Sequence, residues 1–151
     1  MRRDRAMNPG ILYWYILGVT VAGCVPDIRR KSIHVVFFIV AAAGIPVLSF
    51  WDRSVPIEAR IFGILAGLLF LGLSFLTKEA IGRGDALMII LTGAAIGFSA
   101  TAAVLCLSFL LLSFISLVLV VVKKLGRKAR IPFFPFLAAG ELSLVLLVLI
   151  S

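Results

Sequence analysis

The chain has 151 residues, 62% of them hydrophobic, a formal net charge of +8 and a mean hydropathy of +1.19. The length suits one domain, and an apolar content well above the roughly 45–50% of a soluble domain excludes an ordinary water-soluble protein. The charge does not mark a nucleic-acid binder, because the basic residues fall in short clusters between apolar runs, as the cytoplasmic flanks of membrane spans do.

Arg2, Arg3 and Arg5 precede an apolar stretch from Ile11 to Val25, where Tyr13, Trp14 and Tyr15 suit an aromatic belt. Val21-Ala22-Gly23-Cys24 has the look of a lipoprotein cleavage box, but a cut there would leave a multi-span remainder. The stretch is therefore read as a retained first span. Pro26 closes it, and Asp27-Ile28-Arg29-Arg30-Lys31 forms a polar loop. A second span runs from about Ile33 to Phe50, with the lone histidine, His34, at its interface. Trp51 to Arg60 is a short connection of mixed charge, and a third span covers Ile61 to Leu76. Gly63 and Gly67 form a small-xxx-small pair for close helix packing, with Ala66 and Gly72 also small.

Thr77-Lys78-Glu79 and then Ile81-Gly82-Arg83-Gly84-Asp85 lead into a run without charge from Ala86 to Val122. As one helix this run would exceed roughly 50 Å, against a hydrocarbon core of about 30 Å, so it must fold back. Gly97-Phe98-Ser99-Ala100 is the expected place. Lys123 to Arg130 gives a basic loop suited to anionic lipid. Pro132 and Pro135 bracket the start of a sixth span, Phe133 to Ile150, with Glu141 near its middle. The expected fold is all-α: one polytopic membrane helix bundle over residues 1–151, with about six transmembrane helices.

Six spans divide the loops into two sets, with ten basic residues in the set holding Arg29, Lys78 and Lys123 and five in the other. The richer set is expected to be cytoplasmic. Asp27 and Asp85 both fall in that set, separated by an even number of spans, so they can meet at one membrane face. Two carboxyl groups a few ångströms apart share a proton and titrate as a unit. The ionised member can take a proton from water while the protonated one polarises a peptide carbonyl, as in aspartic proteases. Gly82 and Gly84 would let a substrate strand lie close beside Asp85. Cys24 and Cys106 form no Cys-x-x-Cys pair and are read as small buried thiols, with no cofactor or metal expected.

These residues carry a resemblance. Gly82-Arg83-Gly84-Asp85 matches the Gly-x-Gly-Asp signature of membrane aspartyl proteases, and Asp27-Ile28-Arg29-Arg30-Lys31-Ser32-Ile33 resembles the first-aspartate segment of type IV prepilin peptidases. Pro132-Phe133-Phe134-Pro135-Phe136-Leu137 resembles the Pro-Phe-x-Pro-Phe opening of that family's last span. The resemblance implies that Asp27 and Asp85 are the catalytic pair and that the partner is a prepilin or pseudopilin. The leader would be cut at the cytoplasmic face of a bacterial or archaeal plasma membrane. Presenilin-like enzymes share the glycine signature but pair it with Tyr-Asp, and neither Tyr13 nor Tyr15 precedes an Asp.

The sequence departs from the family at Leu87, where a lysine often stands, and at Ser32-Ile33-His34, where Ile-Pro-Asn is common. The cysteine-rich zinc module of long members has no counterpart here, so the resemblance extends to leader cleavage and not to N-methylation.

Blander readings stand beside these. Asp85 at a helix start is also a favourable helix cap. Arg83-Gly84-Asp85 spells an adhesion tripeptide, a coincidence at a cytoplasmic face. Glu141 is either a protonated hydrogen-bond donor between helices or part of a polar cavity. The alternative function is a small proton-coupled transporter that uses Asp27, Asp85 and Glu141 as relay sites, although the sequence shows no internal repeat.

Overall fold

The computed structural model describes residues 10–30, 34–76, 82–123 and 133–150; side chains at 27–30, 120 and 123 are not among those described. All regular structure in these residues is helical: α1 (Ile11–Arg30), α2 (Val35–Trp51), α3 (Ile57–Leu76), α4 (Arg83–Lys123) and α5 (Phe134–Ile150). Two of them, α3 and α4, are long and apolar enough to cross a membrane, while α2, α5 and the apolar part of α1 are shorter. Helices satisfy their backbone polar groups internally, which is what an apolar run needs in a hydrocarbon environment.

The run from Ala86 does fold back, at the expected glycine. Gly97 has φ 81° and ψ 170°, values that interrupt the helix and divide α4 into two arms, 83–96 and 98–123. A positive φ is nearly free for glycine and strained for other residues. Contacts with α3 show the reversal. A Cβ on Gly63 would lie 2.8 Å from Gly93 Cα, and one on Gly67 would lie 2.6 Å from Ile90 Cα, so the first arm runs antiparallel to α3. Farther along, a Cβ on Gly97 would lie 3.1 Å from Ala59 Cβ, and Phe70 stacks on Phe109 at 6.3 Å, so the second arm runs parallel to α3. The hydroxyl of Thr101 donates to the Gly97 carbonyl at 2.7 Å and secures the first turn after the break.

Large apolar side chains of α2, α3 and α4 point outward, among them Val36, Phe50, Leu69, Leu110 and Phe114. Thr20, Ser74, Thr92, Thr101, Ser108 and Glu141 are buried instead. An apolar exterior around a partly polar interior suits a bilayer and would be unstable in water. Buried hydroxyls of Thr20 and Ser108 donate to carbonyls four residues back in their own helices, at 2.9 and 2.7 Å.

Three sequence expectations need correction. Helix α1 continues through Pro26 to Arg30, so Asp27 to Arg30 extend the helix rather than form a loop. Proline removes only its own bond to the carbonyl four residues back, and the residues after it can still donate. Helix α3 begins at Ile57, four residues early, because Glu58 occupies its first turn and Arg60 turns back to the preceding loop. The cysteines are not buried: Cys24 is half-buried and Cys106 faces outward, where a thiol suits a hydrocarbon surface as well as a core.

At the end of the bundle away from the aspartates, one latch joins three helices. Asp52 follows α2, and its Oδ2 accepts from the Leu12 backbone N–H at 3.2 Å, capping the start of α1. Its Oδ1 accepts from the Ser54 N–H at 3.0 Å. Arg60 of α3 donates to the Asp52 carbonyl at 3.1 Å, the Val55 carbonyl at 3.3 Å and the Ser49 hydroxyl.

Candidate active site

The Gly82–Asp85 motif opens α4. The Ala86 N–H donates to the Gly82 carbonyl at 3.1 Å, so Gly82 caps the helix and Asp85 stands in its first turn. The Asp85 carboxylate turns back over Gly82, and a Cβ there would lie 2.7 Å from its Oδ2. Gly84 is different. A Cβ there would meet only the rim of the Phe38 ring, at 3.6 Å, which is ordinary contact. The Arg83 guanidinium lies over the Phe75 ring at 5.5 Å, joining the α4 opening to the end of α3.

Asp27 stands in the final turns of α1, and its side chain lies outside the described residues, as do Lys78, Glu79 and most of the Lys123–Arg130 cluster. The backbone around it is anchored to the Asp85 end of the bundle. Gly23, one turn earlier, sits against the Phe134 ring, where a Cβ would come within 2.7 Å, and against Phe37 at 3.4 Å. Phe37 meets Phe38 edge-on at 5.7 Å, and Phe38 in turn meets Gly84. The α1 terminus and the α4 opening thus flank one aromatic pair.

Phe133 and Phe134, from the segment matching the last-span motif, complete this end. Phe133 accepts from the N–H groups of Phe136 and Leu137 at 3.0 and 3.1 Å and caps α5, and its ring lies 5.4 Å from Phe109. Pro135 falls in the first turn, where its missing N–H would have had no helical partner. His34 is exposed just before α2 and makes no side-chain cap there. Glu141 faces inward from α5 and contacts Thr92 rather than solvent. Thr20 and Thr92 were not singled out by the sequence, since an isolated threonine in an apolar span gives no signal of what it faces.

A family model described as the type IV leader peptidase family matches residues 14–122, which include Asp27 and the whole Gly82–Asp85 motif. The chain belongs to the type IV leader peptidase family. Searches of curated proteins and of solved structures each find no match. As a leader-peptidase relative the protein is a peptidase of a membrane-associated family, and the transporter reading gains no support. Residues 133–150, with Phe134 and Glu141, lie beyond the matched segment.

Proposed function

We propose that the protein is a membrane aspartic endopeptidase that removes the leader of type IV prepilins or pseudopilins, with Asp27 and Asp85 activating water between them. The observation that carries this reading is the family match across both aspartates. The arrangement of helix ends supports it, because the end of α1 and the opening of α4 flank the same Phe37–Phe38 pair.

In this mechanism one carboxylate removes a proton from a water molecule as the water oxygen attacks the scissile carbonyl. The other, protonated, donates to the carbonyl oxygen as the tetrahedral intermediate forms. Collapse of that intermediate breaks the C–N bond: the departing amine takes a proton from the first carboxyl group, and a diol hydroxyl returns one to the second, which restores the singly protonated pair. Six membrane crossings, made by α1, α2, α3, the two arms of α4 and α5, would put both aspartates at the cytoplasmic face, which the distribution of Lys and Arg favours. Helices of 17 residues, as α2 and α5 are, sit at the short end of the spanning range of roughly 17–25 residues.

Co-expression with a prepilin and a gel-shift assay of leader removal tests the reading. Asp27→Asn and Asp85→Asn each insert normally and each abolish cleavage. Persistent processing by either variant rules the pair out.

A further inference from the structure

Glu141 is 2% exposed near the middle of α5, and the cleavage chemistry does not use it. Thr92 on α4 donates its hydroxyl to Glu141 Oε1 at 3.2 Å, and Thr20 on α1, whose own hydroxyl proton goes to the Ile16 carbonyl, lies beside the same carboxyl group. Both threonines are fully buried, and Glu141 Oε2 has no hydrogen-bond partner among the described residues. A carboxyl group at this depth costs far more than an apolar side chain of the same size, so packing alone does not account for it.

Its partners stand in a telling register. Thr20 precedes Asp27 by seven residues on α1, and Asp85 precedes Thr92 by seven on α4. Seven residues make two turns, rise about 10 Å and return to within about 20° of the same helix face. Glu141 therefore stands between the two helices that carry the aspartates, at one depth, on the faces that hold positions 27 and 85. Helix α5 packs directly on both α1 and α4. Its own place is fixed next door, where a Cβ on Gly140 would lie 2.8 Å from the Val104 carbonyl oxygen.

We propose that Glu141, bonded to Thr92 and packed beside Thr20, is a positioning residue that spaces α1 from α4 and thereby sets the separation of Asp27 and Asp85 two turns away. It rests on the aspartate-pair reading above. A leucine in its place would fill the space and leave α1 and α4 free to slide.

The test has two arms on purified full-length protein in detergent. The first follows cleavage of a prepilin by Glu141→Ala, Glu141→Gln and Thr92→Val. Glu141→Ala lowers kcat about a hundredfold, the scale of an ångström-sized misplacement of reacting groups, with KM unchanged. Thr92→Val, which keeps volume and is the safer variant for folding, lowers kcat in the same direction. Glu141→Gln, which keeps an oxygen for Thr92 in the same shape, restores it. The second arm measures the distance between spin labels at Val25→Cys and Arg83→Cys in a Cys24→Ser, Cys106→Ser background. Glu141→Ala broadens that distance and Glu141→Gln restores it.

Wild-type kcat in both Glu141→Ala and Thr92→Val, or an unchanged distance distribution, overturns the proposal. So does failure of Glu141→Gln to restore either readout. If the unmutated enzyme leaves the precursor uncut, the leader-peptidase reading falls instead. The distance arm needs no substrate and then decides on its own whether Glu141 spaces the helices.

Discussion

A Cβ on Gly82 would lie 2.7 Å from Oδ2 of Asp85, well inside van der Waals contact, so the first glycine of the motif makes room for the motif's own carboxylate. The second glycine has no such neighbour, with only the Phe38 ring at 3.6 Å. Gly82→Ala should therefore displace the Asp85 side chain and lower cleavage by at least about tenfold, with helix content by circular dichroism unchanged. Gly84→Ala should be the milder change. Equal loss in the two variants would mean that the glycines serve substrate approach, as the sequence alone suggests, and not the seat of Asp85.

Much of this architecture was legible in the sequence, for a definite reason. Long apolar runs bounded by charges leave helix as the dominant option, and α2, α3 and α5 begin or end within a few residues of the expected points. The break in α4 was forced by length, and Gly97 was the residue able to supply it. Pro26 misled because a proline inside a helix reads as its end, yet α1 continues to Arg30. The Asp52 latch was not legible, since its bond to Leu12 joins residues 40 apart and neither carries a motif. Thr20 and Thr92 were invisible for the same reason: what they face depends on how α5 docks. For the candidate site the sequence proposed Asp27, Gly82, Gly84 and Asp85, and the structure places the two glycines in different surroundings.

Close approach of α3 to the first arm of α4 depends on Gly63 and Gly67, which face Gly93 and the backbone of Ile90. Gly63→Ala puts a methyl group where backbone stands and cannot yield, so the helices must separate. A loss of about 1–3 kcal/mol is expected, the usual range for overpacking, read as a lower melting temperature in detergent. Gly72, on the same helix, has nothing within 4 Å of its Cβ position. Gly72→Ala should be neutral or stabilising by up to about 1 kcal/mol, because alanine loses less freedom in a helix. Equal melting temperatures for the two variants would remove close packing as the cause.

The Asp52 latch gives the bundle an acid-sensitive end. Partial burial pushes the Asp52 carboxyl up, but hydrogen bonds from the Ser54 side chain and backbone, the Leu12 N–H and the Arg60 charge outweigh it and hold it below its ordinary 3.8. An aspartate whose folded value is depressed adds stability above the unfolded value, and that contribution disappears as pH falls through the folded one. Wild-type protein should therefore lose stability below about pH 4 through this group. Asp52→Asn should be less stable than wild type at neutral pH, because one amide oxygen cannot replace two acceptors for Leu12 and Ser54. The gap between the two should narrow as the solution is acidified. Thermal melts across that range check the sign, and a gap that widens in acid would refute the assignment.

The reversal in α4 rests on one residue. With φ at 81° and ψ at 170°, position 97 adopts a backbone geometry that is essentially closed to alanine, and a Cβ there would also crowd Val55 Cγ1 at 2.9 Å. Gly97→Ala must either keep this strain, of about 1–3 kcal/mol, or relax to helical angles and straighten the 41-residue segment. A straight helix of that length would run to about 60 Å, roughly twice a hydrocarbon core. It would also pull Phe109 away from Phe70. The expected outcome is a marked drop in melting temperature, whereas Ser99→Ala, at an exposed helical position two residues on, leaves it unchanged. If Gly97→Ala melts with wild type, the hairpin does not depend on the positive φ, and the fold-back must be held by the α3 contacts alone.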